Sequence, residues 1–211
     1  MKPVIFWFRR NLRLSDNAAL DAAVESGRPV IPLYIHDGED LGGASRWWLH
    51  HSLSSLDADL RQYGASLILR SGLPSQVLSE LAAETGADAL YYSQRYEPSS
   101  IRQERGINDL LSDRLTIDVS CDSYLHTPDT VMTKAGTPYR VFTAFWKTAM
   151  ALGEPRPPVP APVSISVPES LPESLSINDL DLVTVTPDKA RHYDEAWTPG
   201  ENAGLRQVDD L

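Results

Sequence analysis

The chain has 211 residues, 42% of them apolar, enough to bury one core of ordinary domain size. Its 29 acidic and 19 basic side chains give a net charge of −10, which argues against this chain alone gripping a phosphate backbone. No apolar run approaches the roughly 20 residues that span a bilayer. The start Met1-Lys2-Pro3 lacks the form of a signal peptide, and a single cysteine, Cys121, excludes an internal disulfide, so a cytoplasmic setting is expected.

Val4-Ile5-Phe6-Trp7-Phe8 is a continuous apolar run, the composition of a strand buried on both faces of a parallel sheet. Three arginines, Arg9, Arg10 and Arg13, then force the chain out of the interior. Ser15, Asp16 and Asn17 offer helix N-cap side chains before an alanine-rich helix over residues 18–24. A second strand is predicted over residues 30–35, ending at His36-Asp37-Gly38. A long amphipathic helix then starts near Arg46, capped by Ser45, with Leu49, Leu53, Leu56 and Leu60 on one face. Residues 66–70 read as a third strand, and Pro74 opens a helix with Val77, Leu78, Leu81 and Ala82 as its apolar stripe. Residues 87–93 read as a fourth strand, a helix follows through about residue 113, and residues 115–119 read as a fifth strand.

This alternation predicts an α/β fold: a Rossmann-like, doubly wound, five-stranded parallel sheet with helices on both faces. Residues 141–152 read as a further helix through Phe142, Phe145, Trp146 and Ala149. From residue 153 to 187 prolines crowd the chain at positions 155, 157, 158, 160, 162, 168 and 172. That composition has few ways to bury a core and reads as an extended Pro-rich linker laid over the surface. The expected organisation is an α/β domain over residues 1–152, a linker over 153–188, and the truncated start of a helical domain over 189–211. Ligands of such sheets sit at the carboxyl ends of the strands, so the loops after strands one, two and four are the candidate sites.

Several blocks of the sequence carry a resemblance. Trp7-Phe8-Arg9-Arg10-Asn11-Leu12-Arg13 resembles the tryptophan-x-arginine-arginine-aspartate-leucine-arginine signature of the DNA photolyase/cryptochrome family, with Asn11 in place of the aspartate. Residues 42–53, with Arg46 and Trp47-Trp48-Leu49, are similar to its glycine-x-x-arginine-x-x-phenylalanine-leucine helix, and Tyr96-Glu97-Pro98 matches its turn after the fourth strand. Gly136-Thr137-Pro138-Tyr139-Arg140-Val141-Phe142-Thr143-Ala144-Phe145-Trp146-Lys147 and Trp197-Thr198-Pro199-Gly200-Glu201 match two further blocks in the same order.

The resemblance implies the N-terminal domain of a DNA photolyase, which houses or scaffolds a light-harvesting antenna chromophore. In the full-length protein this domain packs on a helical domain that carries FAD and contacts DNA for light-driven repair of pyrimidine dimers. The full-length enzyme would be a deoxyribodipyrimidine photo-lyase. The present stretch would hold no catalytic residue and would be inactive in repair. The alternatives are a cryptochrome signalling module and a stand-alone nucleotide- or flavin-binding protein. In relatives with a deazaflavin or flavin antenna the pocket maps onto Ile35, His36, Asp37, Arg46, Gln94, Arg95 and Glu97. Folate is disfavoured there, because Ser99 and Ser100 stand where folate-binding relatives carry an asparagine-glutamate pair.

Other residues have plainer readings. Arg9, Arg10 and Arg13 are expected in salt bridges, and Trp47, Trp48 and Trp146 in packing. His50 and His51 are not expected to face the same way or to make a metal set, Asp57 and Asp59 to form a solvated face, and Cys121 to be inert near a strand end. Neither a membrane nor a metal is an expected partner.

Overall fold

The computed structural model describes residues 1–183 and 187–209 of the chain. The opening apolar run forms β1 (Val4–Phe8), buried at every position. It is followed by α1 (Ala18–Glu25), β2 (Val30–His36), α2 (Gly43–Gln62), β3 (Ile68–Ser71), α3 (Pro74–Thr85), β4 (Ala89–Ser93), α4 (Pro98–Leu111) and β5 (Thr116–Ser120). The five strands pair in parallel in the order β3-β2-β1-β4-β5, the doubly wound arrangement that the strand-helix alternation predicts.

Alternation along β1 divides the core between two faces. Val4, Phe6 and Phe8 join Leu20 and Ala23 of α1 and Leu53, Leu56 and Leu60 of α2. Ile5 and Trp7 point the other way, to Val77, Leu78 and Leu81 of α3 and Ile107 and Leu111 of α4. The leucine stripe of α2 is therefore the face that covers the sheet. Its helix begins three residues earlier than a Ser45 cap suggested, after Gly42, which supplies no side-chain cap. Asn17 is the cap of α1, its side-chain oxygen accepting from Leu20 N at 3.2 Å.

The proline-rich segment runs extended over the surface as its composition predicts, and it also contributes to the core. Ile165, Leu180 and Leu182 are buried in the layer that covers β1 and α2. Its backbone closes the β3 edge: Leu175 N donates to Leu69 O at 3.0 Å, and Leu69 N to Ser174 Oγ at 2.9 Å. An uncovered strand edge is a template for unwanted pairing, and proline-spaced backbone can follow such an edge without being a strand itself. Asp57 likewise is not simply solvated, because its Oδ1 accepts from Leu67 N at 2.9 Å while its Oδ2 accepts from Arg61. Beyond the sheet lie α5 (Phe142–Ala151), a 3-10 turn (Ile177–Leu180), α6 (Pro187–Ala196) and α7 (Glu201–Asp209).

The sheet reverses its winding between β1 and β4, and the crevice there is where open α/β sheets usually take a ligand. Arg9 fills it. Its guanidinium is buried against Glu104 of α4, donates to Ser93 O at 3.2 Å and Gln103 Oε1 at 3.1 Å, and lies over the rings of Trp7 (4.7 Å) and Tyr92 (5.5 Å). Burial pulls the Arg9 pKa below its ordinary value, and Glu104 opposes that shift. Glu104 Oε1 also accepts from Arg95 N at 3.0 Å, so one carboxylate ties β1, the turn after β4 and α4 together.

Removing one member of a buried ion pair strands the other charge. Glu104→Ala is expected to cost about 3 kcal/mol in urea unfolding, and Arg9→Met added to Glu104→Leu to recover most of that loss.

Candidate functional site

With the switch point closed, space at the carboxyl edge of the sheet is displaced to either side of the Arg10 turn. On one side, the loop after β2 faces the start of α4. Asp37, Gly38 and Glu39 oppose Arg95, Ser99, Ser100 and Gln103 across a cleft of about 210 Å³. Gly38 has φ +74, which favours glycine, and open space where a Cβ would stand. Asp37 Oδ1 accepts from Glu39 N at 3.2 Å, and its Oδ2 from Gln103 Nε2 at 3.4 Å. Glu97 is the N-cap residue of α4 but makes no side-chain capping bond. The first-turn amides of such a helix have no intrahelical acceptor and are ready donors for an anion or carbonyl.

Arg10 lines the neighbouring cavity and reaches this cleft through Glu39. It pairs with Glu39 and, at 3.5 Å, with Glu97, which also accepts from Arg95 Nη2 at 3.2 Å. The Arg95 hydrogen bond and the Glu97 backbone hold the Glu97 carboxyl below the usual carboxylate range.

On the other side of Arg10 a cavity of about 480 Å³ runs past Asn11, Tyr34, Leu41, Ser45 and Ser52 to Gly200 and Glu201. Burial first, then Asp37 and Glu39, pushes the Tyr34 phenol well above its ordinary pKa. Next to it a third, apolar cavity of about 390 Å³ is lined by Ala44, Ser45, Trp47 and Trp48 of α2 with Tyr193 and Trp197. Trp48 meets Trp197 edge-on at 6.1 Å, and Trp47 lies 5.3 Å from Tyr193 and 4.6 Å from His51. Glu39 borders the first two cavities, and Ser45 and Trp48 the last two, so the three lie in a row, a segmented trough along the loops.

The structure brings Asp37 and Arg95 together across the cleft and pairs Glu97, which does not line it, with Arg95. Ile35 is a core side chain beside Leu33 and Ile68. His36 is half-buried at the end of β2, its carbonyl accepting from Gly72 N and Ser71 Oγ. Gln94 turns to Cys121, whose thiol also touches the Tyr96 hydroxyl. Arg46 sits half-buried on α2 and does not line the three cavities.

The aromatic cavity has residues that the sequence reading assigned elsewhere. Trp47 is buried, but Trp48 is 43% exposed and Trp146 52%, so these two do not pack in the core as expected. Adjacent residues on a helix stand about 100° apart, and only one of a Trp-Trp pair can face the sheet. His50 and His51 do meet, with rings 5.1 Å apart, and burial with the neighbouring His51 pushes the His50 pKa down. No group of three His, Cys, Asp or Glu suited to a metal occurs among the described residues. Asn11, in the opening signature, donates from Nδ2 to Ser93 Oγ at 2.7 Å, and that hydroxyl donates to Asp122 Oδ2 at 2.7 Å. A carboxylate at position 11 would have no such donor.

Comparison with known proteins agrees with this architecture. The family described as DNA photolyase matches residues 4–163. A deoxyribodipyrimidine photo-lyase of Agrobacterium fabrum is 43% identical over 99% of this chain, which spans 44% of that relative. A bacterial class III photolyase crystal structure from Agrobacterium tumefaciens superposes with a TM-score of 0.94 at 42% identity, covering 100% of this chain and 44% of that one. The archaeal photolyase of Sulfolobus tokodaii, solved with two FAD molecules, gives a TM-score of 0.75 at 25% identity over 97% of this chain and 45% of that one.

Asp59 of α2 tests the charge pattern beside Glu201 and Asn202. Burial and Glu201 raise its carboxyl pKa, while a hydrogen bond from Asn202 opposes the shift. A raised folded-state pKa penalises the native state above that pKa, and the penalty vanishes below the unfolded value of about 3.9. Asp59→Asn is expected to raise the thermal midpoint at neutral pH, with the gain gone at about pH 3.

Proposed function

We propose, on the premise that the chain belongs to the DNA photolyase family, that it is the antenna-bearing α/β domain of a deoxyribodipyrimidine photo-lyase. The whole protein would carry out light-driven repair of pyrimidine dimers, using FAD held in a helical domain that also contacts DNA. The observation that carries this reading is the trough at the carboxyl edge of a photolyase-type sheet, open beside a switch point that Arg9 has filled.

The division of labour is supported by charge and by surface. At a net −10 this domain is poorly suited to hold a phosphate backbone. On α5, Phe142 is 72% exposed and Trp146 52%, their rings 6.1 Å apart and 20° from parallel. An apolar face of that kind suits packing against a helical domain rather than water.

Two seats along the trough suit a planar antenna. In the polar cleft, Arg95 and the first-turn amides of α4 can donate to ring carbonyls or a phosphate, Asp37 can accept from a ring N–H, and Gly38 lets the backbone approach a ring face. The aromatic cavity fits a fused ring better, because about 390 Å³ lies within the range of ordinary ligand sites, roughly 300–1,000 Å³, whereas about 210 Å³ falls below it. There Trp48 and Trp197, in edge contact with each other, can wall one side of a ring while Trp47 and Tyr193 exclude water. A flavin or deazaflavin, the antennas favoured here, supplies light absorption when bound. The Sulfolobus tokodaii photolyase holds two FAD molecules, with the implication of a novel light-harvesting cofactor, which supports a flavin. Ser99 and Ser100 disfavour folate in the cleft and say nothing of the aromatic cavity.

The test is absorbance and fluorescence titration of the purified chain with FAD, a deazaflavin and a methenyl folate in turn. Saturable binding of a flavin or deazaflavin is expected, weakened by at least about tenfold in Ala44→Trp, which fills the aromatic cavity. Ser99→Trp, at an exposed position that lines the cleft, is expected to leave it nearly unchanged. The opposite pattern would move the antenna to the cleft of Asp37 and Arg95, and failure of all three ligands would remove the antenna reading.

A further inference from the structure

The corner between α6 and α7 is anchored by one carboxylate. The backbone amides of Leu14 and Ser15 donate to Glu201 at 2.6 Å and 2.9 Å, and the Ser15 hydroxyl is a third donor. Successive amides converging on an anion form a charge-assisted seat whose bonds are roughly twice as strong as neutral ones. Those amides are held in place by their own turn. Arg13 Nη2 donates to Asp16 O at 2.7 Å, Asn17 Nδ2 donates to Arg13 O at 2.8 Å, and Asp16 takes a left-handed φ of +48. The same carboxylate is the first residue of α7, at the end of the helix dipole that favours negative charge.

Two neighbours press the corner onto α2. Gly200 has φ +117, and a Cβ there would stand 2.9 Å from Ser55 Cβ and nearer still to its Oγ. Asn202 Nδ2 donates to Asp59 Oδ1 at 3.1 Å. The corner carries Trp197, whose ring is 54% exposed and meets Trp48 edge-on.

We propose that Glu201 is the positioning residue of the aromatic cavity. By clasping the Leu14 and Ser15 amides it holds the corner against α2 and sets Trp197 opposite Trp48, so loss of the clasp swings one wall of the cavity away. Only the ligand arm of the test rests on reading this cavity as a chromophore seat.

Glu201→Ala and Gly200→Ala are compared with the parent chain by amide hydrogen exchange, near-ultraviolet circular dichroism and FAD titration. Exchange at Leu14 and Ser15 is expected to accelerate by about tenfold or more in both variants, with β1 and β2 unchanged. The aromatic dichroism should fall to that of Trp197→Phe, and FAD binding should weaken by about tenfold. Glu201→Gln, which keeps the shape but loses the charge, should fall between. Should Glu201→Ala fail to fold, Gly200→Ala and Glu201→Gln decide. Parent-like exchange and dichroism in the variants would overturn the clasp, as would full FAD affinity in variants that have lost both. If the parent chain binds no FAD but exchange and dichroism change as expected, the clasp stands and the chromophore reading falls.

Discussion

The buried pair between Arg9 and Glu104 decides where this domain can hold anything. A doubly wound sheet opens at the point where its winding reverses, and here that opening lies between β1 and β4. Arg9 leaves the end of β1 and enters it, stacked on Trp7 and Tyr92 and tied to α4 through Glu104. Two charges taken out of water recover little stability for their own sake, so the pair is better understood as a plug that fixes geometry. It holds the turn after β4 by accepting from Arg95 N. The crevice usual for a nucleotide is thereby traded for a trough along the neighbouring loops.

The trough changes character along its length. Near α4 it is polar, crossed by the Arg10, Glu39, Glu97 and Arg95 network. Toward α6 it becomes apolar and aromatic, with Trp47 and Trp48 on one side and Tyr193 and Trp197 on the other. A ligand with a flat ring and a charged tail has matching surfaces at the two ends. The Glu201 clasp belongs to the aromatic end, because it joins the turn after β1 to the corner that carries Trp197.

The sheet was legible because its signals are local. β1 is apolar at every position and buried at every position, and the leucine spacing of α2 names the face that Leu53, Leu56 and Leu60 bury. The proline-rich segment was legible as an extended run over the surface, but the edge it covers was not, because its composition describes only how it fails to form elements; Leu175 N on Leu69 O is a nonlocal bond without a sequence pattern. The candidate site was legible at Asp37 and Arg95, which loops at strand ends bring face to face. The aromatic cavity was not, because Trp197 lies about 150 residues from Trp48 and a tryptophan on a helix looks like core until its outer partner is known. Glu201 was quoted within a motif, but its acceptor role depends on amides at Leu14 and Ser15 that no side-chain pattern announces.

Backbone amide NMR of the chain during an FAD titration tests the displaced site most directly. The largest shifts are expected at Ser45, Trp48 and Trp197, with Phe8, Ser93 and Glu104 unmoved behind the Arg9 plug. Shifts centred on Arg9, Ser93 and Glu104 would mean that the ligand enters at the switch point after all, and would contradict the account.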